Sequence, residues 1–488
     1  MVLVKDQREK VFILLDKSLD YPENPPFNPP EEYPESPIQG SLDKCNMTYS
    51  AVRKMFILMG LDAKNFGTSK WSPLSEFIQK GGTVFIKPNL VYDRNLSGDS
   101  IFAVITHASL IRAIIDYAYK AVGDSGRIIV ADAPQHDADF QKIMELTGLK
   151  ETVEYLKSNF SVPVELYDLR KEYVVYKDGV IVKRITLPGD PKGYVKVDLG
   201  RLSMLTEIDS NYKKFYGADY NRKETMTYHN PEHHIYVISR TFLESDLVIN
   251  LPKLKTHMKA GITVSLKNML GIVGGKNCIV HYRVGSPSEG GDEYPEQDSK
   301  FNALLLKLNR MYSDAFLSKN LGITFYRTII KLSGGKSKFG SESGEMAHSG
   351  NWHGNDTVWR TAVDINKIAL YADKNGEIHD TPTRKMLVLV DGIVGGEGQG
   401  PLALKAKKCG AIISGGDPWS VDLVATRLMG FNEHKISLFS KTLNLYDYTD
   451  RVKINLIENE HSKTITFKET PNLHFIPPKA WHNFTRDT

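Results

Sequence analysis

The cationic side chains that could do chemistry are concentrated in one stretch of the sequence. It begins with an apolar run, Leu247–Ile249, and a proline, Pro252. The cations and the amide that follow are Lys253, Lys255, His257, Lys259, Lys267 and Asn268. No aspartate or glutamate lies between Leu251 and Arg283. Because neighbouring cations repel one another, an anion from outside the chain is the usual reason to keep them together.

This basic stretch predicts an anion-binding loop at the carboxyl end of a buried strand, where open α/β sheets bind their ligands. We assign catalysis to His257 and Lys255, and substrate binding to Lys253, Lys267 and Asn268. The alternative is a solvated basic face without a function. The proline, the histidine and the glycine-rich end of the stretch favour the binding loop.

Polar or glycine-rich segments also follow the other apolar runs of strand length. The runs and the residues after them are Thr83–Ile86 with Lys87 and Asn89, Arg127–Ala131 with Asp132, Met386–Val390 with Asp391, Glu397, Gly398 and Gly400, and Ala411–Ser414 with Asp417. If these strands are parallel, their carboxyl ends lie along one edge of one sheet. The sequence therefore predicts a cleft with a cationic wall and an acidic wall at that edge.

The two predicted walls would have different ligands. Lys87 and Asn89 would join the basic stretch in holding a phosphate or carboxylate, and the backbone N–H groups near Gly398 and Gly400 would face a ligand oxygen. The acidic wall would bind Mg²⁺ or Mn²⁺ through oxygen ligands. Its members are Asp132, Asp391, Glu397 and Asp417, with Asp422 in the helix that follows. His107 joins His257 as a candidate acid or base.

A second anion-friendly segment lies between Asn351 and Arg360, where Asn355 and Arg360 are candidate substrate-binding residues. Its polar side chains crowd the start of a predicted helix, Val358–Ala372, and helix N-termini favour anions. Capping of that helix by Asp356 or Thr357 is the alternative role of the segment.

The order of apolar runs and helical patterns predicts the fold class. Strands alternate with helices through short loops, which is the βαβ pattern of a parallel sheet. We therefore predict an α/β fold with a mostly parallel central sheet flanked by helices. Short alternating segments from Val162 to Tyr236 predict an inserted antiparallel β segment.

The same pattern divides the chain into seven parts. They are an N-terminal strand, proline-rich excursion and helix (1–80), a first α/β part of the core (81–160), the inserted antiparallel β segment (161–240), the basic part of the core (241–285), a helical insertion and connector (286–350), a C-terminal α/β part of the core (351–435) and a C-terminal tail (436–488).

Composition limits the classes of function. The 488 residues carry a formal net charge of +4 and 41% hydrophobic side chains, as in ordinary globular proteins. This balance does not predict a nucleic-acid partner, and no apolar run is long enough to span a membrane. The three cysteines are far apart, so an iron–sulfur cluster is not expected. We predict a cytoplasmic protein, and the sequence leaves a homo-oligomer open.

Several of these segments together carry a family resemblance. They are Lys87–Leu90, Leu251–His257, Ser265–Gly271, Asp391 with Gly398–Pro401, and Asp417–Asp422. In this order they resemble the domain-of-unknown-function 362 family, over roughly Thr83 to Gly430. Many relatives carry a ferredoxin-type cysteine cluster, and this chain resembles the subgroup without it. The segment Asn351–Arg360 resembles members associated with bacterial surface-polysaccharide gene clusters, which implies an anionic sugar or nucleotide-sugar ligand.

Three hypotheses of function follow from the residues. The first is an enzyme that acts on a small phosphorylated or carboxylated metabolite with the help of a divalent metal. The second is a metal-free isomerase or epimerase that uses His257 and a lysine of lowered pKa. The third, from another class, is a non-catalytic protein that binds anionic polysaccharide. Dependence on metal separates the first two hypotheses, and turnover separates both from the third.

Overall fold

The computed structural model describes residues 10–177, 180–218, 221–296, 349–458 and 460–484. Most of the predicted helical insertion, residues 297–348, lies outside the described residues. None of the helices in the described ranges combines the length and the apolar composition that a membrane crossing needs.

The described strands and helices follow the predicted alternation along the chain. The strands are β1 (Lys10–Leu15), β2 (Thr83–Pro88), β3 (Arg127–Asp132), β4 (Val164–Asp168), β5 (Glu172–Lys177), β6 (Val180–Thr186), β7 (Tyr194–Asp198), β8 (Phe215–Tyr216), β9 (His229–Asn230), β10 (His233–Ser239), β11 (Leu247–Leu251), β12 (Lys253–His257), β13 (Gly261–Thr263), β14 (Tyr282–Arg283), β15 (Lys385–Gln399), β16 (Ala403–Gly415), β17 (Lys453–Glu458) and β18 (His461–Ile465). The α-helices are α1 (Met47–Leu58), α2 (Ala108–Val122), α3 (Phe140–Leu146), α4 (Leu149–Lys157), α5 (Arg222–Tyr228), α6 (Arg240–Leu243), α7 (Ser265–Asn268), α8 (Val358–Tyr371), α9 (Pro418–Met429), α10 (Ser437–Ser440) and α11 (Leu445–Arg451).

A large central sheet organises the described part of the chain. Its main path runs β18-β17-β1-β16-β15-β11-β2-β3-β4, and β12 and β13 extend it beside β15. Strands β15, β11, β2, β3 and β4 are parallel neighbours. Strand β16 is antiparallel to both β1 and β15. The predicted mostly parallel α/β sheet is thus confirmed.

Each face of the sheet is covered by its own apolar layer. In β1, Val11 and Ile13 belong to one core cluster, whereas Phe12 and Leu14 belong to the other. This follows from the alternation of side chains along a strand. Helices α8 and α9 pack in the first cluster, and α1 and α2 pack in the second. A sheet that carries helices on both faces is buried on both sides, which explains its continuous apolar strands.

The inserted β segment is smaller than the sequence predicts. Antiparallel pairs join β7 with β10, β10 with β9, and β5 with β6. Strand β4, however, was expected to belong to the insertion and instead pairs in parallel with β3. Helices α3 and α4 provide the long crossover connection that a parallel pair needs.

Two predicted loops are strands in the structure. Residues Lys253–His257 form β12, which is buried along its whole length and pairs with β15 and β13. The glycine-rich segment after Val390 continues β15 as far as Gln399, because it pairs with the first half of β16. Lysines and glycines are poor strand signals, and only the paired partners satisfy these backbone groups.

A buried ion pair joins β12 to β15. Lys253 and Asp391 are opposite each other in the register, and Lys253 Nζ lies 3.0 Å from Asp391 Oδ2. Both side chains are completely shielded from solvent. The hydroxyl of Tyr21 donates to Asp391 Oδ1 at 2.5 Å, and the backbone N–H of His107 donates to Oδ2 at 3.0 Å. The carboxylate therefore has a full set of partners.

We predict that Asp391→Asn lowers the free energy of unfolding by about 3–5 kcal/mol, because it leaves the buried Lys253 charge unpaired. The exposed pair of Lys408 and Asp20 provides a matched control, with side chains 53% and 58% exposed. Asp20→Asn should cost less than about 1 kcal/mol. Urea unfolding measures both values. Equal losses in the two variants would show that the buried pair does not stabilise the junction of β12 and β15.

Candidate functional site

A cavity of about 280 Å³ lies beside β12, β13 and α7. Its polar lining is dominated by cationic and imidazole side chains, which are Lys255, Lys259, Lys267, Lys276, His136, His257 and His281. Amide side chains also line it, from Asn89, Asn268, Asn351 and Gln399. Asp132 is the carboxylate among the described lining residues. The lining is apolar elsewhere, with Leu96, Leu270, Ile279 and Leu402 among its members.

The geometry of β12 explains how the basic stretch reaches this cavity. Lys255 and His257 are two residues apart on a strand, so their side chains lie on the same face. The chain then turns back as β13, which places Thr263 opposite Lys255. Helix α7 follows directly and carries Lys267 and Asn268 to the same cavity. Residues that are close in sequence therefore surround the cavity from three elements.

Asp132 is already neutralised by a buried lysine. Lys87 Nζ lies 2.8 Å from Asp132 Oδ1, and both side chains are buried. The backbone N–H groups of Leu90 and Ala133 donate to the two carboxylate oxygens, each at 2.7 Å. Gly271 packs against this pair, since a Cβ there would lie 2.0 Å from Asp132 Oδ1. The charge of Asp132 is therefore matched mainly by Lys87, and it acts on Lys255 and Lys276 only at longer range.

The remaining lysines of the cavity carry strongly lowered pKa values. Burial, with the nearby charges of Lys259 and Lys276, lowers the pKa of Lys267 from 10.5 to about 7. Burial lowers the pKa of Lys259 to about 7 and that of Lys276 to about 8. The pKa of Lys255 is also well below its ordinary value, first because of burial and then because of Lys253 and Lys267. An anion in the cavity would relieve both the repulsion and the lost hydration.

Lys267 differs from the other lysines in its contacts. Lys255 Nζ donates to the carbonyls of Val104 at 2.6 Å and Pro401 at 3.3 Å. Lys259 Nζ donates to Asn351 Oδ1 at 2.8 Å, and Lys276 Nζ donates to the carbonyl of Ala133 at 2.5 Å. Within the described part of the chain, Lys267 Nζ has no hydrogen-bond acceptor or carboxylate partner. It is therefore the ammonium group best placed to meet a ligand.

Several residues that line the cavity were not predicted from the sequence as site residues. They are Lys259, Thr263, Lys276 and His281. All four lie between Leu251 and Arg283, the interval that contains no acidic residue. The whole acid-free interval, and not only its first lysines, was therefore the sequence signal that could have identified these four residues.

The other predicted binding residues lie elsewhere or act through the backbone. Lys87 and Lys253 are paired beneath the cavity with Asp132 and Asp391. Gly398 pairs with Leu404 of β16. Gly400 follows the end of β15 and packs closely on Thr256, whose carbonyl oxygen would lie 1.8 Å from an added Cβ. Neither glycine lines the cavity, although Gln399 between them does.

His107, Asn355 and Arg360 also have structural positions outside the cavity. His107 caps α2 and stacks on Tyr21 at 4.2 Å between ring centroids, and burial with the charge of Lys253 lowers its pKa to about 3. Asn355 Oδ1 accepts from the backbone N–H of Val358 at the start of α8, and its amide donates to the carbonyl of His281. Arg360 pairs with carboxylates, at 3.2 Å from Asp356.

The structure does not bring the predicted metal ligands together. Asp132 and Asp391 are held by buried lysines, and Glu397 pairs with Lys407 at 3.1 Å. Asp417 caps α9 and follows the end of β16. Because β16 is antiparallel to β15, Asp417 lies at the opposite edge of the sheet from the end of β15. Asp422 accepts three hydrogen bonds from Ser265 and Leu266, and burial raises its pKa to about 7. These side chains do not form the donor set that Mg²⁺ or Mn²⁺ needs.

The family comparison now agrees with the sequence motifs. The model described as Domain of unknown function (DUF362) matches residues 84–197 and 198–427, more than half of the chain. The protein therefore belongs to this family. No curated protein matches the chain.

One solved structure matches part of the chain. It is the crystal structure of a protein from Thermotoga maritima, a Northeast Structural Genomics Consortium target. The match has a TM-score of 0.29 and 9% sequence identity, and it covers 72% of this chain and 54% of that chain. The chain thus spans about half the length of the solved relative.

We predict that Lys267→Met raises the free energy of unfolding of the unliganded protein at pH 7 by about 1 kcal/mol or more, since one pKa unit corresponds to about 1.4 kcal/mol. The unfolded chain protonates Lys267 up to its ordinary pKa of 10.5, whereas the folded chain does so only below about 7. The penalty in the wild type is therefore complete below pH about 7 and disappears as the pH rises towards 10.

Urea unfolding at several pH values measures this gain. It should be largest near pH 7 and should shrink towards pH 10. The exposed Lys70 provides a control, because Lys70→Met reports the general effect of replacing lysine by methionine. A gain that is the same at both pH values, or a loss of stability at pH 7, would contradict the prediction.

Proposed function

We propose that the protein is an enzyme that binds a small anionic metabolite in the cavity beside β12 and transfers a proton on it without a divalent metal. The observation that carries this proposal is the charge of the lining. Among the described lining residues, four lysines face one carboxylate, and that carboxylate is already paired with Lys87. A phosphate or carboxylate group of the substrate would supply the missing negative charge.

The size and the walls of the cavity support a small molecule as the partner. A volume of about 280 Å³ is at the lower end of the range for ligand pockets. Its apolar walls would contact the carbon skeleton, and its lysines would contact the anionic group. A polysaccharide or a nucleic acid would need an extended, exposed basic surface instead. Lys255 is buried, and Lys259, Lys267 and Lys276 are partly buried. Lysines enclosed in this way favour an enzyme over the alternative of a polysaccharide-binding protein.

The donor set favours metal-free chemistry. Of the predicted metal ligands, only Asp132 lines the cavity, and its two oxygens accept from Lys87 and from two backbone N–H groups. Imidazoles and lysines of lowered pKa are the groups that remain for acid–base catalysis. An isomerase or epimerase needs only these groups, since the reaction consumes no oxidant and no water.

The location, the class of partner and the first substrates to test belong to the same proposal. We place the enzyme in the cytoplasm, with a metabolite rather than a macromolecule as its partner and with room for a homo-oligomer. The likeness of Asn351–Arg360 to proteins of surface-polysaccharide gene clusters makes sugar phosphates and nucleotide sugars the first substrates to test. Asn351 lines the cavity, which supports this choice.

We predict that small anions raise the melting temperature of the wild-type protein and that Lys267→Met abolishes this rise. Suitable probes are inorganic phosphate, pyruvate, dihydroxyacetone phosphate, glucose 1-phosphate and uridine diphosphate glucose. A ligand at about 100 times its dissociation constant adds about 2.7 kcal/mol to the stability. Lys70→Met, which changes an exposed lysine, should respond like the wild type. A thermal-shift assay with matched sodium chloride controls measures the effect.

Two results would overturn parts of this proposal. If no anion raises the melting temperature beyond the sodium chloride control, the anion site is wrong. If treatment with EDTA removes the shift and Mg²⁺ restores it, the metal-free part is wrong. Retention of the full shift in Lys267→Met would place the anion outside the described cavity.

A further inference from the structure

Two histidines of the cavity have opposite ring tautomers that the backbone imposes. His257 Nδ1 lies 3.0 Å from the backbone nitrogen of Lys259 and 3.3 Å from that of Ala260. Both groups are N–H donors, so Nδ1 must be the acceptor. In a neutral ring the proton is then on Nε2. His257 can therefore offer an N–H group to a ligand.

His281 has the reverse arrangement. Its Nδ1 lies 3.0 Å from the carbonyl oxygen of Ile279, which can only accept a hydrogen bond. Nδ1 must therefore carry the proton, and in a neutral ring Nε2 keeps a free lone pair. The backbone carbonyl of His281 is held in turn by the side-chain amide of Asn355, at 2.9 Å. The Nδ1 contact thus orients the ring, and the contact with Asn355 holds the main chain beside it.

Both rings stay neutral because of the charges around them. The groups that face His257 are Lys255, Lys259, Lys267 and His281, and those that face His281 are Lys259, Lys267 and Lys276. Burial, followed by these charges, places the pKa of each imidazole well below 6.5. Neither Nε2 has a hydrogen-bond partner in the described ranges, and both rings line the cavity.

A further polar group of the cavity lacks a partner among the described residues. The hydroxyl of Thr263 is buried, with 4% of the residue exposed, and it forms no hydrogen bond within the described ranges. It lies opposite Lys255 on β13 and lines the same cavity. Because an unsatisfied buried hydroxyl is costly, a bound polar molecule is its natural partner. This observation points to a ligand independently of the charges.

We infer that His281 and His257 act as a base and a hydrogen-bond donor on a carbon acid, in which a C–H bond lies next to a carbonyl group. This assignment rests on the proposed anion-binding function and names its substrate class. The substrate is a small anion, a phosphate or a carboxylate, that also contains a ketone or aldehyde. The lysines hold the anionic group, and the two imidazoles act on the carbonyl end.

The proposed step balances without a further reactant. Nε2 of His281 removes a proton from the carbon next to the carbonyl, and the electron pair of the broken C–H bond moves to the carbonyl oxygen. The Nε2–H group of His257 donates a hydrogen bond to the resulting enolate oxygen and keeps its proton. The imidazolium of His281 then returns its proton to the same carbon. When that carbon carries a hydroxyl group, the proton can instead go to the former carbonyl carbon, while the hydroxyl proton moves to the enolate oxygen and the hydroxyl carbon becomes the new carbonyl. The first outcome is epimerisation or exchange, and the second is isomerisation.

The test measures hydrogen–deuterium exchange at carbon, followed by proton NMR in deuterated buffer. The probes are pyruvate and dihydroxyacetone phosphate, which both combine an anion with a C–H bond beside a carbonyl. The wild type should accelerate exchange on at least one probe. His281→Gln should lower the rate about 100-fold or more, the range of general base catalysis. His257→Gln should also lower it, by about 100-fold. His379→Gln, in which an exposed histidine is replaced, should have no effect.

Two further readouts separate catalysis from a structural role. Both cavity variants should keep the melting-temperature rise that the active probe causes, because the lysines hold the anion. At a saturating concentration of the active probe, the wild-type rate should lack the fall through pH 6.5 that an ordinary histidine base shows, since burial and the nearby lysines lower the pKa of His281. In the unliganded protein with ¹⁵N-labelled histidine, NMR should show the Nε2–H tautomer for His257 and the Nδ1–H tautomer for His281.

The outcomes separate the acid–base assignment from the anion-binding function on which it rests. If a probe raises the melting temperature but exchanges no faster than in buffer, the acid–base assignment is wrong and the anion site stands. If no probe raises the melting temperature, the proposed function itself fails. Exchange that survives in His281→Gln, or a ring with the opposite tautomer, would also overturn the assignment.

Discussion

The site depends on an excess of lysines over carboxylates among the described residues around one cavity. Two lysines, Lys87 and Lys253, are matched by Asp132 and Asp391 in pairs that are shielded from solvent. Among the described residues, the lysines that line the cavity belong to no such pair, and their pKa values are lowered by burial. Removal of charge from water is costly in a protein interior. An unliganded protein therefore carries an electrostatic cost that a bound anion would offset.

The course of the chain through β12, β13 and α7 places these lysines around the cavity. After Pro252 the chain continues as β12, which pairs with β15 and then folds back through β13 into α7. Strand pairing and the apolar layers hold these elements in place. The cations are consequently arranged before any ligand arrives, and little conformational entropy remains to be lost on binding. A site enclosed by protein also strengthens the charge–charge interactions within it.

The same architecture explains why some predicted site residues came together and others did not. Lys255, His257, Lys267, Asn268, Asn89 and Asp132 all line one cavity. Asp417 does not, because its strand runs antiparallel to β15 and ends at the other edge of the sheet. Strand direction is not visible in an apolar run. His281 was missed because the sequence does not show which histidine reaches the cavity, and its role depends on a hydrogen bond to the carbonyl of Ile279.

The sequence by itself determined the alternating apolar strands, the α/β class, the family and the acid-free interval from Leu251 to Arg283. These features depend on local composition and on hydrophobic periodicity, which a single chain records directly. Only the tertiary structure decided which charges are paired, which way each strand runs and which nitrogen of each imidazole carries the proton. Those properties depend on contacts a few ångströms long between residues as far apart as Lys253 and Asp391. Local sequence patterns do not specify such distances.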